Sequence, residues 1–359
     1  MMERSNLVRN VIQAATEYHK RQLWKRFTNF DCFGIRVPGK DDLLLACVMG
    51  DAGEEYGLML FQGPHAPDNF LAVIEGEAMF ADAMDNLDML SFSMGPFGEM
   101  LPQEQAFFRE AGIHPRQNEL VPFFITKQPG RQLRTSDKKE QALLLTILKA
   151  VVIADQQKLL YPSQLSDDKG ICVITLGGDM AEPTVSASRE KLPPRPMPAK
   201  PPVTPISPFS LSGLKLIDEE WLVGTPSLAA KISDDDRSMQ LLLVVDDATG
   251  KILQSRPFFS EEIQEAIDAV VEAFRGKRPK GQKGIPRTIT FTNRRLYDAM
   301  SQALEDVGAE CDYTTTMIPE LQDMADGFSD FMSQGVPSGE HMPILSDADD
   351  EMPAPDDLD

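Results

Sequence analysis

The chain has 359 residues, of which 42% are hydrophobic and 25% are charged, and its formal net charge is -21 at pH 7. That length predicts two domains, each long enough to bury a core of its own. No apolar run reaches the roughly 18 residues that a membrane-spanning helix needs, and the negative charge disfavours nucleic-acid binding through the overall field of the protein.

Targeting and redox signals are few. Residues 1–27 lack the continuous apolar region and the small-residue cleavage site of a secretory signal, so export is not indicated. The cysteines form no CxxC pair and have no histidine at zinc-binding spacing. We expect a cytoplasmic protein with buried free thiols, although Cys32 and Cys47 could face each other across a hairpin. The other two cysteines are Cys172 and Cys311.

Residues 1–180 predict an α+β domain. Apolar residues recur every three to five positions at 5–28 and predict a helix whose basic opposite face is solvated. Three strand-like runs, at 32–37, 43–50 and 56–63, are joined by turn-rich segments and predict an antiparallel meander. Further helices are expected at 67–86, at 102–113 with Pro102 in the first turn, and at 136–160 with Ser136 as the N-cap. Further strands are expected at 88–97 and 170–177, and residues 120–134 predict a strand followed by a loop.

Two segments have the composition of linkers rather than of folded elements. Residues 181–210 contain nine prolines among small and polar residues, which predicts an extended, semi-rigid spacer between the domains. Residues 340–359 carry eight acidic side chains and no Lys or Arg. Such a composition cannot bury enough apolar surface to fold, so we predict a disordered acidic tail over 331–359.

Residues 211–330 predict an α/β domain. Three strands are expected first, the second and third forming a hairpin that turns at Gly250. A helix follows at 260–276, capped by Ser260, and then a strand at 287–293. A second helix, capped by Asn293 and ended by Gly308, precedes the last strand. The predicted element order is therefore βββαβαβ.

Several stretches resemble an uncharacterised bacterial family in which two domains of unknown function are fused. In the first half these are LLLACVMGDAGEEYGLMLFQG, PQEQAFFREAGI and LVPFFITKQPGRQLR. The second half is similar to the usual partner domain in EEWLVGTPSLA, LLLVVDDATGKIL and ITFTNRRLYDAMSQALEDVGAECDY. The resemblance implies a bacterial two-domain protein and brings no known activity with it.

The order βββαβαβ is that of the ribonuclease H-like fold, whose nuclease members hold two divalent metals with acids from the first strand, the fourth strand and a helix. Asp246 and Asp247 could begin such a Mg²⁺ or Mn²⁺ site, with a third acid from the last helix, which could be Asp306, Glu305 or Asp298. They fall at the end of the second strand, however, and the fourth strand ends in Asn293 where an acid is wanted. Aspartate is also a common hairpin-turn residue. The sequence therefore favours a degenerate site.

A basic stretch is the most distinctive polar feature. Residues 275–295 hold eight basic side chains and no acid, and the carboxyl ends of parallel strands commonly bind ligands. The stretch could bind phosphate, nucleic acid or the acidic tail, or it could be a solvated loop. The candidate ligand-binding residues are Lys277, Arg278, Lys280, Lys283, Arg294 and Arg295.

The sequence contains no GxSxG or HExxH motif and no phosphate loop. The leading hypothesis is a non-enzymatic binding or regulatory protein that acts on a protein partner and uses no cofactor. Two alternatives remain open: a divalent-metal nuclease, and a nucleic-acid binder that uses the basic stretch. Fold analogy alone cannot decide between them.

Overall fold

The computed structural model describes residues 2–53, 55–75, 81–100, 102–179, 182–192, 203–228, 237–276, 283–314 and 318–333. These residues form a mixed α/β structure with two mixed β-sheets, one of eight strands and one of five. None of the described helices is both long enough and apolar enough to cross a bilayer. The predicted acidic tail lies outside the described residues from 334 onward.

The first sheet confirms the predicted meander. Its first six strands are neighbours in chain order and pair antiparallel, whereas β7 joins parallel to β1 and β8 forms the edge. The sequence did not reveal that parallel pairing. The strands are β1 (Cys32–Arg36), β2 (Leu44–Met49), β3 (Tyr56–Phe61), β4 (Met89–Pro96), β5 (Leu120–Lys127), β6 (Arg134–Thr135), β7 (Ile171–Asp179) and β8 (Glu182–Glu190).

The described part of this half contains five α-helices, and two of them build its largest core. The apolar sides of α1 and α5 pack on one face of the sheet, where Tyr18 is fully buried and donates a hydrogen bond to the Gly57 carbonyl at 3.1 Å. A smaller apolar cluster on the other face includes Phe61 and Phe70. The helices are α1 (Met2–Arg21), α2 (Ala66–Ile74), α3 (Ala81–Asn86), α4 (Pro102–Glu110) and α5 (Lys138–Gln156).

Helix boundaries differ from the sequence prediction at two places. The helix expected at 5–28 ends at Arg21, because Gln22 adopts a left-handed conformation with φ of 50°. Asp137, not Ser136, caps α5 and forms a capping box with Glu140. Ser136 is instead buried, and its hydroxyl lies 2.9 Å from that of Thr126.

Two further predictions in this half need correction. The single helix expected at 67–86 is interrupted, since α2 ends at Ile74 and α3 begins at Ala81. The basic face of α1 is only partly solvated, because Arg21 and Arg26 both bind the buried carboxylate of Asp155 in α5. Two guanidinium groups thereby tie the end of α1 and the following turn to the end of α5.

The predicted spacer begins later than its composition indicated. Residues 182–190 form β8, which pairs with β7 over nine residue pairs, so the interpretation of this stretch as linker was wrong. Composition misleads here because an edge strand accepts proline where the missing N–H would face solvent. At the other end, the Ile206 amide donates to the Ala299 carbonyl at 3.0 Å, which attaches that part of the spacer to the second half.

The second sheet has the strand order β11-β10-β9-β12-β13. β9, β10 and β11 pair antiparallel, whereas β12 runs parallel to β9 and β13 parallel to β12. The strands are β9 (Leu216–Gly224), β10 (Met239–Asp246), β11 (Lys251–Phe259), β12 (Ile285–Phe291) and β13 (Glu310–Tyr313), and the helices are α6 (Ile263–Phe274), α7 (Arg294–Glu305) and α8 (Pro319–Ser333).

Helices cover both faces of this sheet. α6 and α7 pack on the face that contains Trp221, whose ring stacks on Phe274 with centroids 5.5 Å apart. α8, which was not predicted, packs through Leu321 and Ala325 on the opposite face. Ser260 does not cap α6 as expected. It begins a short 3-10 turn and is buried, and α6 starts three residues later.

Candidate functional site

The hairpin that carries Asp246 and Asp247 is built around the first of these aspartates. The Asp246 carboxylate accepts hydrogen bonds from the Ala248 and Thr249 amides at 3.1 and 3.3 Å. Gly250, with φ of 66°, closes the turn as predicted. The Asp247 amide donates to the Glu220 carbonyl at 2.9 Å. The Asp246 carboxylate therefore stabilises the turn through local backbone contacts, and the Asp247 backbone continues the pairing with β9.

The position of this hairpin does not suit the nuclease hypothesis. Asp246 pairs with Trp221, three residues before the end of β9, and the hairpin tip points away from the carboxyl ends of the parallel strands. Asp306 follows α7 and accepts a hydrogen bond from Gln302 at 3.0 Å. Among the described residues, no group of three or more His, Cys, Asp or Glu side chains could hold a metal ion. The three proposed nuclease acids do not form such a group.

The first strand of the second sheet carries acids that the sequence reasoning overlooked. Asp218 forms an ion pair with Arg287 at 3.1 Å, and Glu219 accepts a hydrogen bond from the Trp221 indole at 2.8 Å. Both acids lie in the amino-terminal half of β9. They have structural partners and do not reach the end of the strand, where a metal pair would be held.

The carboxyl ends of β9 and β12 meet at a polar edge made of Thr225, Thr292 and Asn293. Asn293 is 1% exposed, and its amide donates to the Thr225 hydroxyl at 2.7 Å. Its side-chain oxygen caps α7 by accepting from the Leu296 amide at 3.0 Å, as predicted. The side chains of this polar edge are uncharged, and Asn293 is held by the fold on both of its polar atoms.

α8 closes the sheet beside the polar edge. A Cβ atom added to Gly224 would lie 2.4 Å from a methyl carbon of Leu321 and 2.8 Å from the Thr292 hydroxyl. Leu321 therefore packs directly on the backbone at the end of β9. Apolar packing by α8 therefore covers the backbone at this end of β9.

The described residues of the predicted basic site lie at opposite ends of β12. Lys283 precedes β12, whereas Arg294 and Arg295 follow it. Because β12 has seven residues and a strand rises about 3.3 Å per residue, Lys283 lies at the opposite end of the sheet, on the order of 20 Å away. The structure does not bring these side chains into one site. Lys277, Arg278 and Lys280 lie outside the described residues.

The two arginines after β12 have different environments. Arg295 donates to the Ser260 carbonyl at 2.8 Å, and its buried Nε has no hydrogen-bond partner. Arg294 forms an ion pair with Asp298 at 2.8 Å and lies over the rings of Tyr297 and Tyr313, at 5.4 and 5.3 Å from their centroids. Its side chain remains half exposed. We call Arg294, Tyr297 and Tyr313 the Arg294 platform, which the sequence reasoning did not identify because the tyrosines are 16 residues apart.

The cysteines are free thiols. Cys32 and Cys47 are paired in register across β1 and β2 and are both buried, so the alternative that they face each other is correct as geometry. Burial is the largest cause that raises the pKa of each thiol to about 12, and the pKa of Cys311 is raised to about 12 for the same principal reason. These are poor nucleophiles at neutral pH, because the thiolate is the reactive form.

We expect all four thiols of the folded protein to resist alkylation by iodoacetamide at pH 8, whereas all should react in guanidinium chloride. Intact-mass spectrometry would count the adducts, and rapid native labelling of Cys32 or Cys47 would contradict the burial.

The raised pKa values also predict a pH effect. The protonated thiols contribute fully to the free energy of unfolding below about pH 9, which is the ordinary pKa of a thiol. This contribution is lost as the pH rises towards 12.

A second expected result concerns the hairpin. Asp246→Ala should lower the free energy of unfolding by about 1 kcal/mol, because two backbone amides lose their acceptor. Asp246→Asn should retain most of the stability, since its amide oxygen can accept the same bonds. Chemical denaturation of both variants would measure the difference. Equal stability of the alanine variant and the parent would show that the turn does not depend on this carboxylate.

Comparisons with known proteins identify both halves at the level of domains. The model of one family, Domain of unknown function (DUF7309), matches residues 9–169, and that of another, Domain of unknown function (DUF6930), matches residues 211–329. No curated protein matches the chain.

One similar solved chain comes from the "CryoEM structure of simian T-cell lymphotropic virus intasome in complex with PP2A regulatory subunit B56 gamma". It is 16% identical, with a TM-score of 0.25, and the match covers 34% of this chain and 45% of that one. Such a low TM-score supports no conclusion about fold or function. The chain is thus a fusion of two domains of unknown function, DUF7309 followed by DUF6930.

Proposed function

We propose that this chain is a non-enzymatic binding protein of the bacterial cytoplasm, whose second domain is ribonuclease H-like but lacks the catalytic acids. The strand order supports the topology, because an antiparallel meander of β9, β10 and β11 continues through α6 and α7 into the parallel strands β12 and β13. We propose a first domain from residue 1 to the end of β8, a spacer after β8, a second domain from residue 211 to the end of α8, and a tail after Ser333.

The polar edge is the observation on which the non-enzymatic proposal rests. A two-metal nuclease needs carboxylates that converge near the ends of its first and fourth strands. Here those positions hold Thr225 and Asn293, which bind each other in a buried hydrogen bond. Leu321 then packs beside them on Gly224. In place of exposed acids, this end of the sheet holds uncharged side chains that are hydrogen-bonded to each other and lie beside Leu321.

A cleavage assay on the full chain tests this proposal. Single-stranded and duplex DNA and RNA would be incubated with 5 to 10 mM Mg²⁺ or Mn²⁺, and calorimetry would measure metal binding. We expect no cleavage and no specific metal binding. Asp246→Asn is the matched control, because it removes the charge and retains the turn. Metal-dependent cleavage that this substitution abolishes would overturn the proposal.

The Arg294 platform is the surface that supports binding of a protein partner. Arg and Tyr are enriched among the residues that dominate interface energies, and here one arginine is held over two tyrosine rings at the carboxyl end of β12. The double variant Arg294→Ala, Tyr313→Ala should lose a partner that the parent chain retains in quantitative cross-linking from its own cells. Arg287→Ala, which removes an exposed ion pair at the other end of β12, is the control.

Nucleic-acid binding through the basic stretch is the second candidate. Its support is the run of eight basic side chains, but the described members are divided between the two ends of β12. Neutralising Lys277, Arg278, Lys280 and Lys283 together should weaken salt-dependent retention on nucleic acid if this candidate is right. Unchanged retention, or none in the parent, would eliminate it.

A further inference from the structure

The edge of the first sheet is formed by β8, a strand with one unpaired side. Within the described part of the chain, β7 is the strand that pairs with it. The pairing is regular over all nine residues, from Glu182 to Glu190. An edge of this length presents a row of free backbone donors and acceptors to any chain that can approach it.

The hydrogen bond at Cys172 shows which residues of β8 face outward. Its amide donates to the Ser163 hydroxyl, and the Ser163 carbonyl accepts from the Cys32 amide, so Ser163 lies on the β1 side of β7. Cys172 and its partner Arg189 therefore form a pair without mutual hydrogen bonds. Because such pairs alternate along an antiparallel ladder, Val185, Ala187 and Arg189 direct their N–H and C=O groups away from β7.

The central part of this edge lacks the features that normally prevent strand pairing. Between Pro183 and Arg189 the side chains are Thr, Val, Ser, Ala and Ser, without charge. Edge strands usually avoid pairing through charges, proline, bulges or short length. The charges and the proline of β8 lie at its two ends, as Glu182, Pro183, Arg189 and Glu190. In the long edge strand of the second sheet, β11, Arg256 and Pro257 lie inside the strand, and its pairing with β10 is irregular at Val244. Its other edge, β13, has only four residues.

We propose that β8 pairs antiparallel with β8 of a second copy of this chain, about a two-fold axis at Ala187. This register places Ala187 opposite its own copy and Val185 opposite Arg189, which allows about six backbone hydrogen bonds between outward-facing groups. It also places Ser186 of each copy directly opposite Ser188 of the other, both of them exposed. Opposed serines can form hydrogen bonds across the strand pair, which favours self-pairing in this direction.

Sedimentation equilibrium of the full chain from 1 to 100 μM tests the proposal. The mass should rise towards twice the chain mass of 39.8 kDa. Ala187→Pro should remain at the monomer mass at every concentration, because it removes an outward N–H that β7 does not use. Ala187→Ser, which keeps the backbone unchanged, should dimerise like the parent. Circular dichroism and thermal unfolding would verify that each variant is folded.

A charge pair keeps the test decisive if the proline variant does not fold. Ala187→Glu and Ala187→Lys should each be monomeric, since like charges would meet at the two-fold axis. An equimolar mixture should recover a dimer that contains one copy of each. A parent chain that stays monomeric at 100 μM would overturn the proposal, and so would a dimer unaffected by any of these substitutions. A monomer whose β8 binds an extended peptide would assign the edge to a different occupant.

Discussion

Replacing Gly57 by alanine is expected to lower the free energy of unfolding by more than about 3 kcal/mol, because the core has no space for the added methyl group. Gly57 lies in β3, where a Cβ atom would fall 2.0 Å from the Phe92 carbonyl oxygen and 2.8 Å from the end of Met49. The first of these is backbone and cannot move without breaking the β3–β4 pairing. Tyr18, which binds the Gly57 carbonyl, would lose its position as well. Urea denaturation monitored by circular dichroism would measure the loss.

Gly327→Ala is the matched control for this result. Gly327 lies inside α8, and an added Cβ would meet nothing within 4 Å. Alanine is the better helix former by about 0.8–1 kcal/mol, so this variant should be slightly more stable than the parent. Equal stability of Gly57→Ala and the parent would contradict the close approach of Gly57 in β3 to the Phe92 carbonyl in β4.

The second large effect is expected for Trp221→Ala. Trp221 is 1% exposed, stacks on Phe274, and lies in the core between the second sheet and helices α6 and α7. Truncating a buried tryptophan costs about 3–5 kcal/mol, because apolar contacts are lost and a cavity remains. The Glu219 carboxylate also loses its indole donor. We expect the second domain to unfold at lower denaturant concentration while the first sheet remains folded.

Trp24→Ala provides the comparison, since Trp24 is the other tryptophan of the chain. It is only partly buried and contacts the rings of His19 and Tyr56 near the surface of the first half. Its loss should affect the first half, and by a smaller amount than Trp221→Ala affects the second. Trp221→Ala leaves Trp24 as a fluorescent reporter of the first half, and Trp24→Ala leaves Trp221 as a reporter of the second half. Equal destabilisation of one common transition would contradict independent folding of the two halves.

Much of the architecture was predictable from local patterns. Period-two and helical apolar patterns located most strands and helices, and Asn293 and Gly250 were assigned their correct roles in the cap and the turn. The parallel pairing of β1 with β7 could not be predicted, since it joins segments more than 130 residues apart in the chain. β8 was missed because its small and polar residues suit a solvated edge strand as well as a linker.

The candidate site was less predictable than the fold. The turn position of Asp246 and Asp247 is visible in the sequence. Their distance from other acids is not, since it depends on strand register. The basic stretch was read as one surface because proximity in sequence resembles proximity in space, whereas β12 separates Lys283 from Arg294. The packing of α8 on the end of β9 could not be predicted from the sequence, because only the folded chain brings Leu321 onto Gly224.

The attachment of Ile206 to α7 sets a limit on how far the two domains can separate. Only about 15 residues connect the end of β8 at Glu190 with Ile206, and their contour length is at most about 50 Å. A tether this short keeps each domain near the other at an effective concentration on the order of millimolar. A ligand that bound weakly to both domains would therefore be held far more tightly by the whole chain than by either domain alone.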